Sequence, residues 1–140
     1  MKDVFRHISA GGKEYPLAFN LNVIECVQDR YGSMSKFAEA LSPGVDEQGK
    51  QIEPKMHDVK FIYATCINEG IEMENDPECQ YYKKRDEPRK LLNEKQVGRI
   101  LGGVLEATSV IKNLVTDSNR SKDSTEVDLD DEEKNLMTGQ

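Results

Sequence analysis

Asp58-Val59-Lys60-Phe61-Ile62-Tyr63-Ala64-Thr65-Cys66-Ile67-Asn68-Glu69-Gly70 is the stretch on which the fold turns. Val59, Ile62, Tyr63, Cys66, Ile67 and Gly70 recur at three- and four-residue intervals, the spacing that gathers side chains on one face of a helix. Asp58 stands near the start, where a negative charge complements the helix dipole. Gly70 is placed to end this helix or to allow a kink in it. A helix with one apolar face must bury it against other elements, so the flanking segments are read for what can cover it.

On the N-terminal side, Arg6-His7-Ile8-Ser9-Ala10 meets Lys13-Glu14-Tyr15-Pro16-Leu17-Ala18-Phe19 across Gly11-Gly12, the punctuation of a tight hairpin because glycine accepts positive φ. Tyr15, Leu17 and Phe19 alternate, and Pro16, which has no N–H to give to a ladder, confines that strand to an edge. A lone hairpin is marginal in water and must lean on the helices. Asn20 or Asn22 can cap a helix in which Leu21, Ile24, Val27 and Tyr31 recur, with Gly32 as its stop. Ser33 or Ser35 can cap a second, short helix containing Phe37, Ala38 and Leu41, ended by Ser42-Pro43-Gly44, and residues 42–55 read as a polar loop.

On the C-terminal side, residues 72–90 show no periodic apolar face and read as an exposed connection. The next helix opens with a capping box: Asn93 can accept from the N–H of Gln96 while Gln96 reaches back, and Leu92 can staple onto Val97. Its apolar row, Val97, Ile100, Leu101, Val104, Leu105, Thr108, Ile111 and Val115, continues for about five turns. Gly102-Gly103 interrupts it at a cost of roughly 2 kcal/mol relative to alanine, so either the helix bends there or a neighbour packs against bare backbone. From Asp117 the pattern gives way to a Ser/Asp/Glu-rich stretch that cannot bury enough surface to offset ordering entropy. The sequence thus predicts a mainly α fold. Residues 1–116 form a small helical domain with a short N-terminal β-hairpin, and residues 117–140 a disordered acidic C-terminal tail.

Composition narrows function. The chain has 140 residues, 32% of them charged and 36% hydrophobic, which suits one domain with a modest core. The net charge of −7 is unevenly placed: residues 1–116 carry about −2 and residues 117–140 about −5. A protein that neutralises nucleic-acid phosphates needs a basic face, so no nucleic-acid partner is expected. No run approaches the ~20 apolar residues of a transmembrane helix, and no membrane partner is expected either. Cys26, Cys66 and Cys79 lack CxxC spacing; the first two fall in apolar stretches, where a thiol behaves as a small hydrophobe, and the simple compartment is a reducing cytoplasm.

Tests for chemistry return little. His7 and His57 have no sequence-local partner, and HExxH, GxSxG and Walker patterns are absent, so no enzyme activity, cofactor or metal is expected. Asp130-Asp131-Glu132-Glu133 is read as a solvating acidic run. Lys83-Lys84-Arg85 and Arg89-Lys90 beside Tyr81-Tyr82 have the look of an aromatic and cationic nucleic-acid patch, offset by Glu78, Asp86 and Glu87. Residues 35–41 look like the first helix of a helix-turn-helix, but a Pro-Gly loop follows where the recognition helix belongs. These two features support the alternative reading, a small helical DNA-binding or regulatory accessory protein. The helix after Asn93 is wider in its apolar arc than one core contact needs, and Val97, Ile100, Leu101, Val104 and Leu105 are the candidate partner-binding residues, for a protein partner or self-association.

Taken in order, several segments resemble the tail assembly chaperones of long-tailed phages and prophages of Gram-positive bacteria. They are Gly12-Lys13-Glu14-Tyr15-Pro16-Leu17, then Asn20-Leu21-Asn22-Val23-Ile24-Glu25 through Asp29-Arg30-Tyr31-Gly32-Ser33. Tyr63-Ala64-Thr65-Cys66-Ile67-Asn68-Glu69-Gly70 and Leu92-Asn93-Glu94-Lys95-Gln96-Val97-Gly98-Arg99 complete the set, which covers about residues 8–116. The resemblance implies a non-enzymatic protein of virion morphogenesis in the host cytoplasm. Such a protein coats and solubilises the helical tape measure protein, recruits tail tube subunits, and leaves before the virion is finished.

Overall fold

The computed structural model describes residues 2–102 and 104–119; the side chains of Val104 and Leu105 lie outside that description. Two strands, β1 (Val4–Ala10) and β2 (Lys13–Phe19), precede five helices: α1 (Leu21–Tyr31), α2 (Met34–Leu41), α3 (Met56–Asn75), α4 (Glu94–Ile100) and α5 (Val104–Asn119). The mainly helical architecture with an N-terminal antiparallel hairpin is as expected. Residues 117–119, placed in the acidic tail by the sequence, belong to α5, and the expectation of disorder for the rest of the tail falls outside the described residues.

The hairpin forms for the reason its glycines suggest. Gly11 (φ 58°) and Gly12 (φ 78°) occupy the two turn positions, pairing Ala10 with Lys13 and, at the far end, Val4 with Phe19. Positive φ at both central residues gives the turn whose twist matches that of the flanking strands. Pro16 lies opposite His7. The sequence suggested one buried face on β2, yet Tyr15 through Phe19 are all buried. The ribbon is covered on both sides: Pro16 lies against Gly70 of α3, while Leu17 lines a cleft with Val110 and Leu114 of α5.

α1 starts where Asn20 accepts from the N–H groups of Asn22 and Val23, and stops at Gly32, whose φ of 90° is a left-handed cap. Its buried line is Val23 and Val27, whereas Leu21, expected on the apolar row, is 71% exposed. The Asn20 amide reaches Glu69 of α3 at 2.7 Å and the Asn22 amide reaches the same carboxylate at 3.0 Å. This polar tether sets the phase of the first turn and leaves Leu21 facing outward. Cys26, also placed on an apolar stripe by the sequence, is exposed, whereas Cys66 is buried as expected. Ser33 caps α2 by accepting from the N–H of Lys36. Phe37 and Leu41 are buried, and the loop after α2 folds back on itself where Val45 bridges Gln51.

α3 is the central pillar, packing against β2, α1, α2, α4 and α5. It runs through Gly70 without ending there and buries Ile71 and Glu74 beyond it. The connection to α4 is exposed along most of its length but is strapped to α3 by two asparagines seven residues apart, hence on one face. The Asn68 side chain donates to the carbonyl of Leu92 and accepts from its N–H, both at 2.8 Å. Asn75 makes the same pair of bonds with Arg89, at 2.9 and 3.1 Å. The capping box of Asn93 and Gln96 forms as predicted, with both bonds at 2.8 Å. The single long helix expected after it does not form. α4 ends at Ile100, Leu101 is extended with ψ 143°, and α5 begins at Val104. Leu101 and Gly102 fall at the break, where leaving the helix removes the penalty of keeping Gly102 helical.

Candidate functional site

The partner row inferred from sequence is divided by this break. Val97 is fully buried, and Ile100 and Leu101 are half-buried against the core, so the described part of the row faces inward. The side chains of Val104 and Leu105 lie outside the described residues. α5 itself is anchored from below: the Tyr63 hydroxyl donates to the carbonyl of Ala107 at 2.7 Å.

An open apolar concavity lies one layer away. Its volume is about 520 Å³, and its floor is Phe19 at the end of β2 with Ile24 of α1. One wall is α2, through Met34, Phe37, Ala38 and Leu41; the other is α5, through Lys112, Val115, Thr116 and Asn119. Both walls repeat the spacing i, i+3, i+4, i+7, so each helix turns a single stripe toward the gap. Gly32 makes the turn from α1 into α2 that sets this wall upright, and Ser35, Ala38 and Ser42 keep the rim low because their side chains are short. Met34, Ile24 and Val115 are only partly buried although they pack on the core, so the groove has unsatisfied apolar surface. Sequence reasoning assigned Phe37, Ala38 and Leu41 to a short helix without marking this face. The overlooked signal is the run of small residues Ser35, Ala38 and Ser42 alternating with large apolar ones.

The groups with ionic chemistry gather elsewhere. Glu74, in the last turn of α3, has a side chain only 1% exposed and is met by His7 Nε2 at 3.0 Å, Arg85 at 3.2 Å and Lys83 Nζ at 3.6 Å. Burial pushes its carboxyl pKa up, but the hydrogen bonds from His7 and Arg85 and the charges of Lys83 and Arg85 outweigh that and hold it below the ordinary value. The basic cluster is therefore partly engaged inside the molecule. Tyr81 stacks on Phe5 at 4.1 Å, and the Arg89 guanidinium lies 4.7 Å over the ring of Tyr15. Cations and an aromatic from the patch offered for nucleic acid thus brace the hairpin and the α3 terminus. Residues 34–41 do form a helix, but the next one begins only at Met56 and lies in the core, so the helix-turn-helix geometry is not made.

Two of the free thiols, Cys26 and Cys66, are held protonated more strongly than an ordinary thiol. Burial drives the Cys66 thiol far above its ordinary pKa, leaving it protonated and inert. Cys26 is also raised, first by partial burial and then by the carboxylates of Asp29, Glu25 and Glu69. Tyr31, whose hydroxyl donates to Asp58 at 2.6 Å, is raised by burial and by that bond. Among the described residues no helix is long and apolar enough to cross a membrane. Fold and site together define a small, mainly helical protein with an apolar groove. Compared with family models, curated proteins and solved structures, the chain matches none of them.

Proposed function

We propose that this protein is a tail assembly chaperone of a long-tailed phage or prophage. It would bind and solubilise the tape measure protein through the groove between α2 and α5, and present the complex to tail tube subunits. The observation that carries the reading is the groove itself: two facing helical stripes over an apolar floor, about 520 Å³ in volume. A third amphipathic helix, laying its i, i+3, i+4, i+7 residues between them, is the ligand this geometry fits. A tape measure helix with exposed apolar residues needs such cover to stay soluble. The net charge of −7 supports the role, because it keeps the loaded complex from associating further. The resemblance of residues 8–116 to this class of chaperone suggests which helix is bound, and the groove is consistent with a site for it. Self-association along the same filamentous partner would follow from many copies binding one long helix.

The test is co-expression with a tape measure fragment. Ala38→Asp places a carboxylate on an exposed groove position without touching the core. It is expected to reduce the soluble co-purified fragment at least about tenfold, since an unpaired charge buried at an interface is costly. Val45→Asp, on the exposed loop after α2, is expected to leave it unchanged. Equal recovery with Ala38→Asp would show that the groove is not the binding surface.

A further inference from the structure

We propose that β1 pairs with β1 of a second copy of this chain, antiparallel about a twofold axis at His7, joining two hairpins into one sheet. The sheet within one copy has two strands, so β1 has β2 on one side only. The register decides which backbone groups are left over. A two-residue turn makes Ala10 and Lys13 a hydrogen-bonded pair, and bonded and non-bonded pairs alternate from there. Ile8 with Tyr15 and Arg6 with Leu17 thus exchange bonds, while Ser9–Glu14, His7–Pro16 and Phe5–Ala18 do not. Pro16, which has no N–H, falls in a non-bonded pair, as this alternation requires. The N–H and C=O groups of Phe5, His7 and Ser9 therefore point away from β2, along the open edge.

This edge is complementary to itself. His7 is the middle residue of β1 and also the middle one of the three that face outward. A twofold axis there sets Val4 against Ala10, Phe5 against Ser9 and Arg6 against Ile8 of the second copy, so each outward N–H meets a C=O. On the α5 side the row that meets its own copy is Val4, Arg6, Ile8 and Ala10. It is apolar except for Arg6, whose guanidinium is already bonded to Asp117 of its own chain. Ile8 of the second copy, opposite Arg6, comes to the open slot of about 200 Å³ lined by Ile8, Leu17, Val110 and Leu114. On the other side His7 is held by Glu74 at 3.0 Å. Edge strands that stay single are commonly guarded by a proline, a bulge or a lysine. β1 has none of these: its pairing is one-to-one throughout, and Arg6, His7 and Ser9 are exposed. The edge of β2 is closed, because Pro16 packs on Gly70 and has no N–H to offer, so pairing ends at two copies. The paired strip is about 24 Å long and about 10 Å across, well under the ~800 Å² per partner of a standard interface, so the dimer is weak and reversible. The contact makes no use of the groove between α2 and α5 and stands or falls apart from the proposed function.

Sedimentation equilibrium of the full chain between about 1 μM and about 1 mM is expected to show the mean mass rising from monomer toward dimer. Ser9→Pro removes an outward N–H and no bond of the hairpin, as Pro16 does on the facing strand, and is expected to weaken dimerisation at least about tenfold. Ala38→Asp, in the groove, is expected to dimerise like the native chain. Amide hydrogen exchange of the native chain gives a readout that needs no variant. Raising the concentration is expected to protect the N–H groups of Phe5, His7 and Ser9, and to leave those of Arg6 and Ile8, already bonded within the hairpin, unchanged. A chain that stays monomeric at about 1 mM, or a folded Ser9→Pro that dimerises like the native chain, would overturn the proposal. So would a dimer that protects amides elsewhere and not these three. Loss of the dimer in Ala38→Asp would move the contact between copies to the groove and overturn it equally.

Discussion

Gly70 of α3 and Pro16 of β2 meet at backbone distance: a Cβ on Gly70 would stand 2.8 Å from Cβ of Pro16 and 3.2 Å from its carbonyl carbon. The glycine read from sequence as a helix end or a kink is a helix-interior residue whose missing side chain lets the hairpin lie on the central helix. Hairpin and helix could not otherwise approach closely enough to bury Tyr15 through Phe19 on both sides.

Gly70→Ala is therefore expected to destabilise the protein by about 1–3 kcal/mol, the usual range for overpacking, despite its better helix propensity. Gly98 in α4 provides the contrast. Its Cβ would meet the Lys60 side chain at Cδ, 3.1 Å away, and a flexible lysine stem can move aside. Gly98→Ala is expected to leave stability unchanged or raise it by up to ~1 kcal/mol. Urea midpoints of the two variants check the pair; a stabilised Gly70→Ala would contradict the contact.

Glu74 gives a prediction in pH. Its carboxyl titrates below the ordinary value of 4.5 in the folded chain, because His7, Arg85 and Lys83 outweigh burial. A depressed carboxylate pKa contributes stability that is present above the unfolded value and lost as pH falls through the folded one. The native chain should thus lose stability from about pH 4.5 downward, and Glu74→Gln should flatten that part of the profile. At neutral pH the same variant removes the anion from three basic neighbours at a buried site, a change that typically costs about 3–5 kcal/mol. Denaturation followed between pH 3 and pH 7 reads both effects; a variant with the native acid profile would refute the assignment.

The thiols separate what was legible in the sequence from what was not. Periodicity placed Cys66 on the buried face of α3 correctly, because that helix is long and its apolar row is uninterrupted. It failed for Cys26 and Leu21, because α1 has only eleven residues and its phase is set by the Asn20 and Asn22 amides binding Glu69, more than forty residues away. Local signals with local causes, the Gly11-Gly12 turn, the Asn20 and Ser33 caps and the Asn93–Gln96 box, were readable. The groove was not, since it is a relation between α2 and α5, and neither stripe differs from a core face when seen alone. Glu74 was hidden for the same reason: its partners come from β1 and the connection after α3.

Cys26 and Cys66 should therefore diverge in reactivity. With a thiol reagent at pH 7.5, Cys26 is expected to label at least about a hundredfold faster than Cys66, which must wait for an opening of the core. The raised pKa of Cys26 slows it relative to a free thiol but does not reverse the order, because exposure is the larger factor. Comparable protection of both residues would mean that α1 is rotated so as to bury Cys26. Mass spectrometry of the labelled peptides distinguishes them.

The two asparagine straps on α3 make a prediction that separates donor from acceptor. Asn68 serves both the carbonyl and the N–H of Leu92, each at 2.8 Å. Asn68→Asp keeps an acceptor for that N–H but loses the donor, and sets a carboxylate oxygen against the carbonyl. Asn68→Leu removes both partners. Leaving a part-buried backbone group unpaired costs about 1–3 kcal/mol, so both variants should be destabilised. Their amide exchange should differ: the Leu92 N–H is expected to stay protected relative to global opening in Asn68→Asp and to lose that protection in Asn68→Leu. The Arg89 N–H, held by Asn75 at 3.1 Å two helical turns along, is expected to keep its protection in both. Simultaneous loss at Leu92 and Arg89 would show that the connection lifts off as one unit, and that the straps are not independent contacts.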